Sequence, residues 1–344
     1  MSKYFQSLSF GHVLVLSVLV LLSSCSGDEA NRSGTVRIPL GAGGVGFLPL
    51  QMMREYQLIE KHAQDAGLET LNVEWIELGG PAVMNDALLA KSVDFIAAGP
   101  PAFITLWDRT LGSANVKGVA AIAALPMYLN TRADHIGSLE DLTANDRIAL
   151  TAIKVSIPAI VMQIYALDNY GINNFDRFDD YTVTMTHPDG VVAMLSGSNE
   201  VNSHFTSPPF HQREIANPEV RTVLSTNDIL GGSTTFTMLS TTQAYHDANP
   251  GIYRAVLAAL EEAQQLIKSD PRAAAQVMIN SGQNAGLGEE ELVAVLEDPD
   301  ISFSSRPENT MRYARFMHEV GTLNNLPSSW TDLFFPEIHH LDGN

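Results

Sequence analysis

The residues in this chain best suited to chemistry on a small molecule sit in turns that open helices. One such turn is Gly41-Ala42-Gly43-Gly44-Val45-Gly46, which follows the alternating apolar residues Val36, Ile38 and Leu40 and runs into Phe47-Leu48-Pro49. Glycines at this density let backbone amides approach a ligand closely. The turn also matches G-x-G-x-x-G, the phosphate cradle of dinucleotide-binding folds, and it equally suits a turn that binds nothing. The cradle needs its third glycine inside a helix and an acid about 20 residues further on. Here the helical pattern begins only at Pro49, and the acid of the second strand, Glu77, comes well beyond that spacing. Two more turns, Gly79-Gly80-Pro81 and Gly99-Pro100-Pro101, bracket a helix over 81–90 and an almost wholly apolar strand over 93–98. Proline suits the first helical position. Helix starts carry unpaired N–H groups and partial positive charge, so two of them facing one crevice would favour a small polar or anionic ligand. A further turn, Lys154-Val155-Ser156, precedes Ile157-Pro158 and adds a cation. Signals for other chemistry are lacking in the sequence. The ten histidines are scattered without H-E-x-x-H, the aspartates around 176–180 and 298–300 do not follow a calcium-loop spacing, and G-x-S-x-G is absent. The expectation is a binding protein with no metal, no cofactor and no catalysis.

The elements that position these turns follow from periodicity. Leu48, Met52, Tyr56, Ile59, Ala63 and Ala66 recur at three and four, which predicts one amphipathic helix over 49–66. Strands are expected over 35–40, 71–78, 93–98 and 116–125. A second set of strands is expected over 147–151, 181–185, 200–205 and 220–225, with helices over 159–170, over 189–195 and after Ser207-Pro208-Pro209. Such alternation predicts an α/β fold with largely parallel sheets. After Ser240 the chain reads as mostly helical, with Ile252, Val256, Ala259, Ala263 and Leu266 forming one stripe.

The 344 residues suggest two domains, and a hydrophobic content of 45% supports a sizeable core. A formal net charge of −19 argues against nucleic acid or an anionic membrane surface as a partner. At the N-terminus, Lys3 precedes an apolar run over 13–22 of signal-peptide length, too short to span a bilayer. It ends in Leu22-Ser23-Ser24-Cys25, which looks like a bacterial lipobox, and Cys25 is the sole cysteine. The expected order is a signal peptide over 1–24, lipidation at Cys25 and a polar tether over 25–34.

Taken in order, several motifs resemble those of solute-binding proteins of bacterial ABC importers, in the nitrate, sulfonate and taurine branch. They are the lipobox, the turn ending in Phe47-Leu48-Pro49, Gly79-Gly80-Pro81, Val93-Asp94-Phe95-Ile96 with Gly99, Ser138-Leu139-Glu140-Asp141-Leu142, Ile157-Pro158, Ser203-His204-Phe205 and Gly231-Gly232-Ser233-Thr234. The resemblance covers nearly all of the chain after the lipobox. It implies a two-lobe periplasmic-binding-protein fold with a hinge and an interlobe cleft. Lobe one would comprise 35–125 and 238–344, and lobe two 126–237. It implies a monomer that captures a small organic solute, such as a sulfonate, taurine, nitrate or related anion, and delivers it to a permease and its ATPase. Gly43, Gly44, Val45, Phe47, Gly79, Gly80, Pro81, Gly99, Pro100 and Pro101 would then face the cleft from lobe one. Lys154, Val155, Ser156, Ser203, His204 and Phe205 would face it from lobe two, with Ser233 and Thr234 near the hinge. Lys154 reads either as a point charge for an anion or as a solvated lysine. His204 and Phe205 read either as a ligand cover or as a packed strand end.

Overall fold

The structure, a computed structural model, describes residues 34–344 apart from 42, 69, 79 and 198–200. The expectations for the signal peptide, Cys25 and Gly79 therefore lie outside the described residues.

Strand β1 (Gly34–Pro39) and β2 (Leu71–Ile76) pair in parallel, with Val36 opposite Val73 and Ile38 opposite Trp75. Between them run α1 (Leu48–Glu55) and α2 (Leu58–Asp65), not the single helix expected over 49–66. The break is at Gln57, which takes a left-handed φ of 50°. It re-aims the second helix. α1 buries Leu48 through Met53, while α2 swings Lys61 and His62 onto Glu262, at 2.6 and 2.7 Å. Helix α3 (Pro81–Leu89), strand β3 (Ile96–Ala98) and helix α4 (Pro100–Thr110) follow. Asp94 anchors the turn before β3 to β1, accepting from the Arg37 backbone N–H at 2.8 Å and from its guanidinium at 2.8 and 3.1 Å.

Strand β4 (Val116–Ala124) carries the chain away from this half, and β5 (Tyr128–Thr131) opens the next sheet. That sheet adds β6 (Ile148–Leu150), helix α5 (Ile157–Tyr170), β7 (Thr182–Thr184), helix α6 (His187–Ser196), β8 (Ser203–Thr206), helix α7 (Phe210–Ile215) and β9 (Arg221–Ser225), ordered β7-β6-β8-β5-β9. Helix α8 (Thr226–Leu230) leads to β10 (Thr235–Thr242), which inserts between β3 and β4. The sheets are mixed, which corrects the expectation of largely parallel pairing. β10 runs antiparallel to β3 and β4, and β5 antiparallel to β8 and β9. Both are the strands by which the chain enters a sheet from the other half, so they run against the βαβ units already there.

The C-terminal helices cover β4 and β10. After the short α9 (Gln243–Ala248), the apolar stripe of α10 (Pro250–Ser269) lies inward, and buried Gln264 donates to the carbonyls of Ala121 and Ile122 at 3.1 and 3.0 Å. Helices α11 (Pro271–Asn280), α12 (Glu289–Leu296) and α13 (Thr310–Glu319) complete the layer. Gly118 in β4 faces Phe334, and a Cβ there would stand 2.4 Å from that ring, so the strand needs glycine at this contact.

Candidate functional site

Five helix starts converge on one cavity of about 550 Å³, within the usual size for a small-molecule site. They are the N-termini of α1 at Phe47, α3 at Gly80, α4 at Gly99, α5 at Ser156 and α6 at Thr186. Each helix follows a β-strand, so the cavity lies outside strand ends, where open α/β sheets place ligands. All five helices have proline at the first or second position. Proline sets the entry geometry but donates no N–H, so α4 offers the cavity Ala102 rather than Pro100 or Pro101.

Of the residues singled out in the sequence, Gly43, Phe47, Gly80, Gly99, Val155 and Ser156 line the cavity. Gly43 takes φ 86°, and a Cβ there would collide with the Gln283 side chain at 1.9 Å. The others, Gly79 and Pro81 aside, do not reach the wall. Gly44 backs onto Phe210 and Pro208, and buried Val45 gives its N–H to the Pro208 carbonyl at 3.2 Å. Pro81 follows Gly80 as the first residue of α3, and Pro100 and Pro101 are buried in the first turn of α4. Lys154 is exposed on the turn after β6 with φ 66°, so its ammonium points to solvent while its two successors line the cavity. Ser203, His204 and Phe205 are wholly buried within β8. Ser203 Oγ donates to Thr131 Oγ1 at 2.9 Å, and His204 Nδ1 meets Glu214 Oε1 at 2.5 Å. Ser233 is exposed and Thr234 buried, and the wall is formed instead by Phe236 and Thr237, one turn of chain further on.

The sequence reading missed the charged and hydrogen-bonding side chains of the wall. Gln51 and Arg54 of α1 face the cavity, and Glu77, just past β2, stands at its edge. Phe47, Gln51 and Arg54 are spaced by four and three, a second face of the same helix, and that was the available signal. Arg54 is half-buried and has no side-chain partner among the described residues, so its guanidinium is free for an anion. Gln51 is held by Ser281 Oγ, which donates to its Oε1 at 2.8 Å. From the other half come Thr186 and His187 at the start of α6. Burial, helped by the charge of His204, lowers the His187 pKa to about 3, so the ring is neutral. Ser156 Oγ donates to the Ala152 carbonyl at 2.6 Å, which leaves that hydroxyl without a base to activate it. The wall thus combines a free guanidinium, the Glu77 carboxylate, a neutral imidazole, amides and apolar surface, which is a recognition surface.

The family model described as the NMT1-like family matches residues 44–280. The chain belongs to this family. The match runs from the glycine turn to the end of α11 and so takes in all five helix starts at the cavity. Solved structures share the fold at low identity. The alkanesulfonate-binding protein SsuA from Xanthomonas axonopodis pv. citri, bound to MOPS, superposes with a TM-score of 0.67 at 16% identity, covering 86% of this chain and 96% of that one. The periplasmic nitrate-binding protein NrtA from Synechocystis PCC 6803 gives 0.62 at 15%, covering 89% and 84%. The Candida albicans CA3427 gene product, described as having the generic periplasmic binding protein fold, gives 0.61 at 13%, covering 85% and 90%. This chain has that periplasmic-binding-protein fold. No curated protein matches it.

Proposed function

We propose that this protein is the extracytoplasmic solute-binding component of an ABC importer. It captures a small organic anion, of the sulfonate, taurine or nitrate kind, and delivers it to a permease and its ATPase without catalysing a reaction. The observation that carries this reading is the free Arg54 guanidinium in a cavity ringed by five helix starts. Both features favour negative charge. The named ligands of SsuA and NrtA, which share the fold, are of the same class. We read the glycine turn as wall of this site, because Gly41 and Gly43 line the cavity, and not as a nucleotide cradle, because its third glycine, Gly46, lies in the turn before α1 instead of inside that helix.

In this reading lobe one comprises 35–125 and 238–344, lobe two 126–237, and the crossings Leu125–Thr131 and Leu230–Phe236 form the hinge. The protein works as a monomer. Removal of residues 1–24 leaves Cys25 lipidated, and the tether over 25–34 holds the lobes at the membrane. The site comprises the lining residues Gly43, Phe47, Gly80, Gly99, Val155 and Ser156 together with Arg54, His187 and Thr237.

A thermal-shift panel of ethanesulfonate, taurine, nitrate, short carboxylates and uracil tests this. A solute at 100 times its Kd adds about 2.7 kcal/mol, which raises Tm by roughly 5–10 °C at the 2–4 °C per kcal/mol of a protein this large. Stabilisation by an anion supports the proposal. Stabilisation by uracil alone, or by no compound, counts against it.

A further inference from the structure

The wall supplied by α6 continues into a buried chain of polar groups that crosses the third sheet. His187 faces the cavity, and its Nδ1 lies 3.3 Å from His204 Nε2 and 3.1 Å from Thr206 Oγ1. His204 Nδ1 lies 2.5 Å from Glu214 Oε1, and the other carboxylate oxygen accepts from Asn130 Nδ2 at 2.8 Å. The His204 and Glu214 side chains are both 0% exposed.

Two proton arrangements that keep Glu214 a carboxylate satisfy these distances. In the first, a neutral His204 accepts from His187 Nδ1–H, and His187 turns a lone pair on Nε2 towards the cavity. In the second, His204 is an imidazolium that donates at both nitrogens. His187 then accepts at Nδ1 and carries its proton on Nε2. Burial separates them. A carboxylate removed from water needs a counter-charge as well as hydrogen bonds. Among the described residues, His204 is the cationic group on Glu214.

We infer that Glu214, acting through His204, holds the neutral His187 ring with its proton on Nε2, so that the cavity presents an N–H donor at the start of α6 and selects an acceptor oxygen of the solute there. His204 and Glu214 are positioning residues, and His187 touches the solute. Thr237, across the cavity, points the same way. It is fully buried and lines the wall, and its hydroxyl has no hydrogen-bond partner among the described residues. Buried hydroxyls rarely stay unpaired, so this hydroxyl is a candidate partner for a polar solute atom. The solute half of the inference rests on the solute-binding reading above, whereas the proton placement does not.

Long-range ¹H–¹⁵N correlation spectra of the full chain, labelled at histidine nitrogen and free of solute at neutral pH, report which ring nitrogens carry protons. The expected result is His187 protonated on Nε2 alone and His204 on both nitrogens. Glu214→Gln should remove one proton from His204 and alter the His187 pattern. His187 protonated on Nδ1 in the unsubstituted protein overturns the inference, so the result does not depend on the variant folding. Ethanesulfonate is then titrated in. Binding should shift the His187 Nε2–H signal, and His187→Phe should weaken binding about tenfold, as for one lost hydrogen bond to an ion. Bound ethanesulfonate that leaves both unchanged overturns the solute half. If ethanesulfonate does not bind, the titration is made with an anion of the thermal-shift panel that does, and if none binds, the functional reading fails while the tautomer result stands.

Discussion

Gly190, in the second turn of α6, lies directly beneath the His204 ring, so close that a Cβ would stand 2.5 Å from both Cε1 and Nε2 of the imidazole. The glycine is what allows the helix carrying His187 to rest on the strand carrying His204. In an ordinary helix interior, Gly→Ala stabilises by about 0.5–1 kcal/mol. Here the sign should reverse, because the methyl group overpacks a buried ring at a cost of roughly 1–3 kcal/mol. Gly190→Ala is therefore expected to lower the urea midpoint, with a net loss of about 1–2 kcal/mol at unchanged slope. A rise in the midpoint would show that the ring yields.

Arg54 and Lys154 make a paired prediction. Arg54 lines the cavity without a side-chain partner, and Lys154 is exposed on the turn outside it. Arg54→Ala should weaken binding of the anion found in the thermal panel by about 1.5–3 kcal/mol, the range for a hydrogen bond to a charged group. In Kd that is roughly 10- to 150-fold. Lys154→Ala should leave Kd within a factor of about two, as expected for an exposed charge. Calorimetric titration of both variants decides, and equal effects would remove Arg54 from the site.

The contrast between these two residues shows what the sequence could convey. Gly80, Gly99 and Ser156 were legible because proline-started helices after apolar strands have a local signature, and such turns gather at strand ends. Arg54 was not, because it projects from the body of α1. The apolar stripe of that helix announced the core, while the opposite face, with Gln51 and Arg54, carried no turn signal. His204 was misplaced for the converse reason. A histidine near a strand end reads as a cleft residue until its buried partner is known, and Glu214 comes from α7, ten residues later in a different element. The break at Gln57 and the reversed direction of β10 depend on contacts with α10 and with a sheet built much earlier in the chain. Local periodicity does not record either.

Gly99 also tests how the two halves meet. A Cβ on it would stand 3.0 Å from Ile157 Cδ1 and 3.2 Å from the Phe236 carbonyl, so the start of α4 rests on the start of α5. Gly99→Val should wedge the halves apart at the base of the cavity while leaving both cores folded. Solute affinity should fall by about tenfold or more, because the closed form becomes a smaller fraction of the population. Small-angle scattering with saturating solute should show a larger radius of gyration than the parent protein. An unchanged radius together with full affinity would mean that closure at Gly99 plays no part in binding.

Acid sensitivity should come in two stages, from different groups. Burial lowers His187 to about 3 and His211 to about 4, against an ordinary value of 6.5. A base with a lower pKa when folded leaves the unfolded chain holding more protons. The stability this contributes is complete above pH 6.5 and is lost as the pH falls, at about 1.4 kcal/mol per pH unit for each ring. The second stage belongs to Asp146. Burial raises its pKa, but hydrogen bonds from the Thr143 backbone N–H, His135, the Thr143 hydroxyl and Asn202 outweigh this and hold it at about 2. For an acid with a lowered pKa the stability is present above the unfolded value of 3.8 and is lost between there and about 2. Urea unfolding measured from pH 7.5 to 3 should therefore show a decline that begins near pH 6.5 and continues below about 4, where the Asp146 contribution takes over as that of His211 ends. His187→Gln should reduce the slope of the upper stage by roughly half, because one of two neutral rings is gone. Asp146→Asn should lower stability at neutral pH and flatten the decline below about 4. Stability that stays level from pH 7.5 to 5 would mean that neither histidine is held neutral, and the donor assigned to His187 would lose its support.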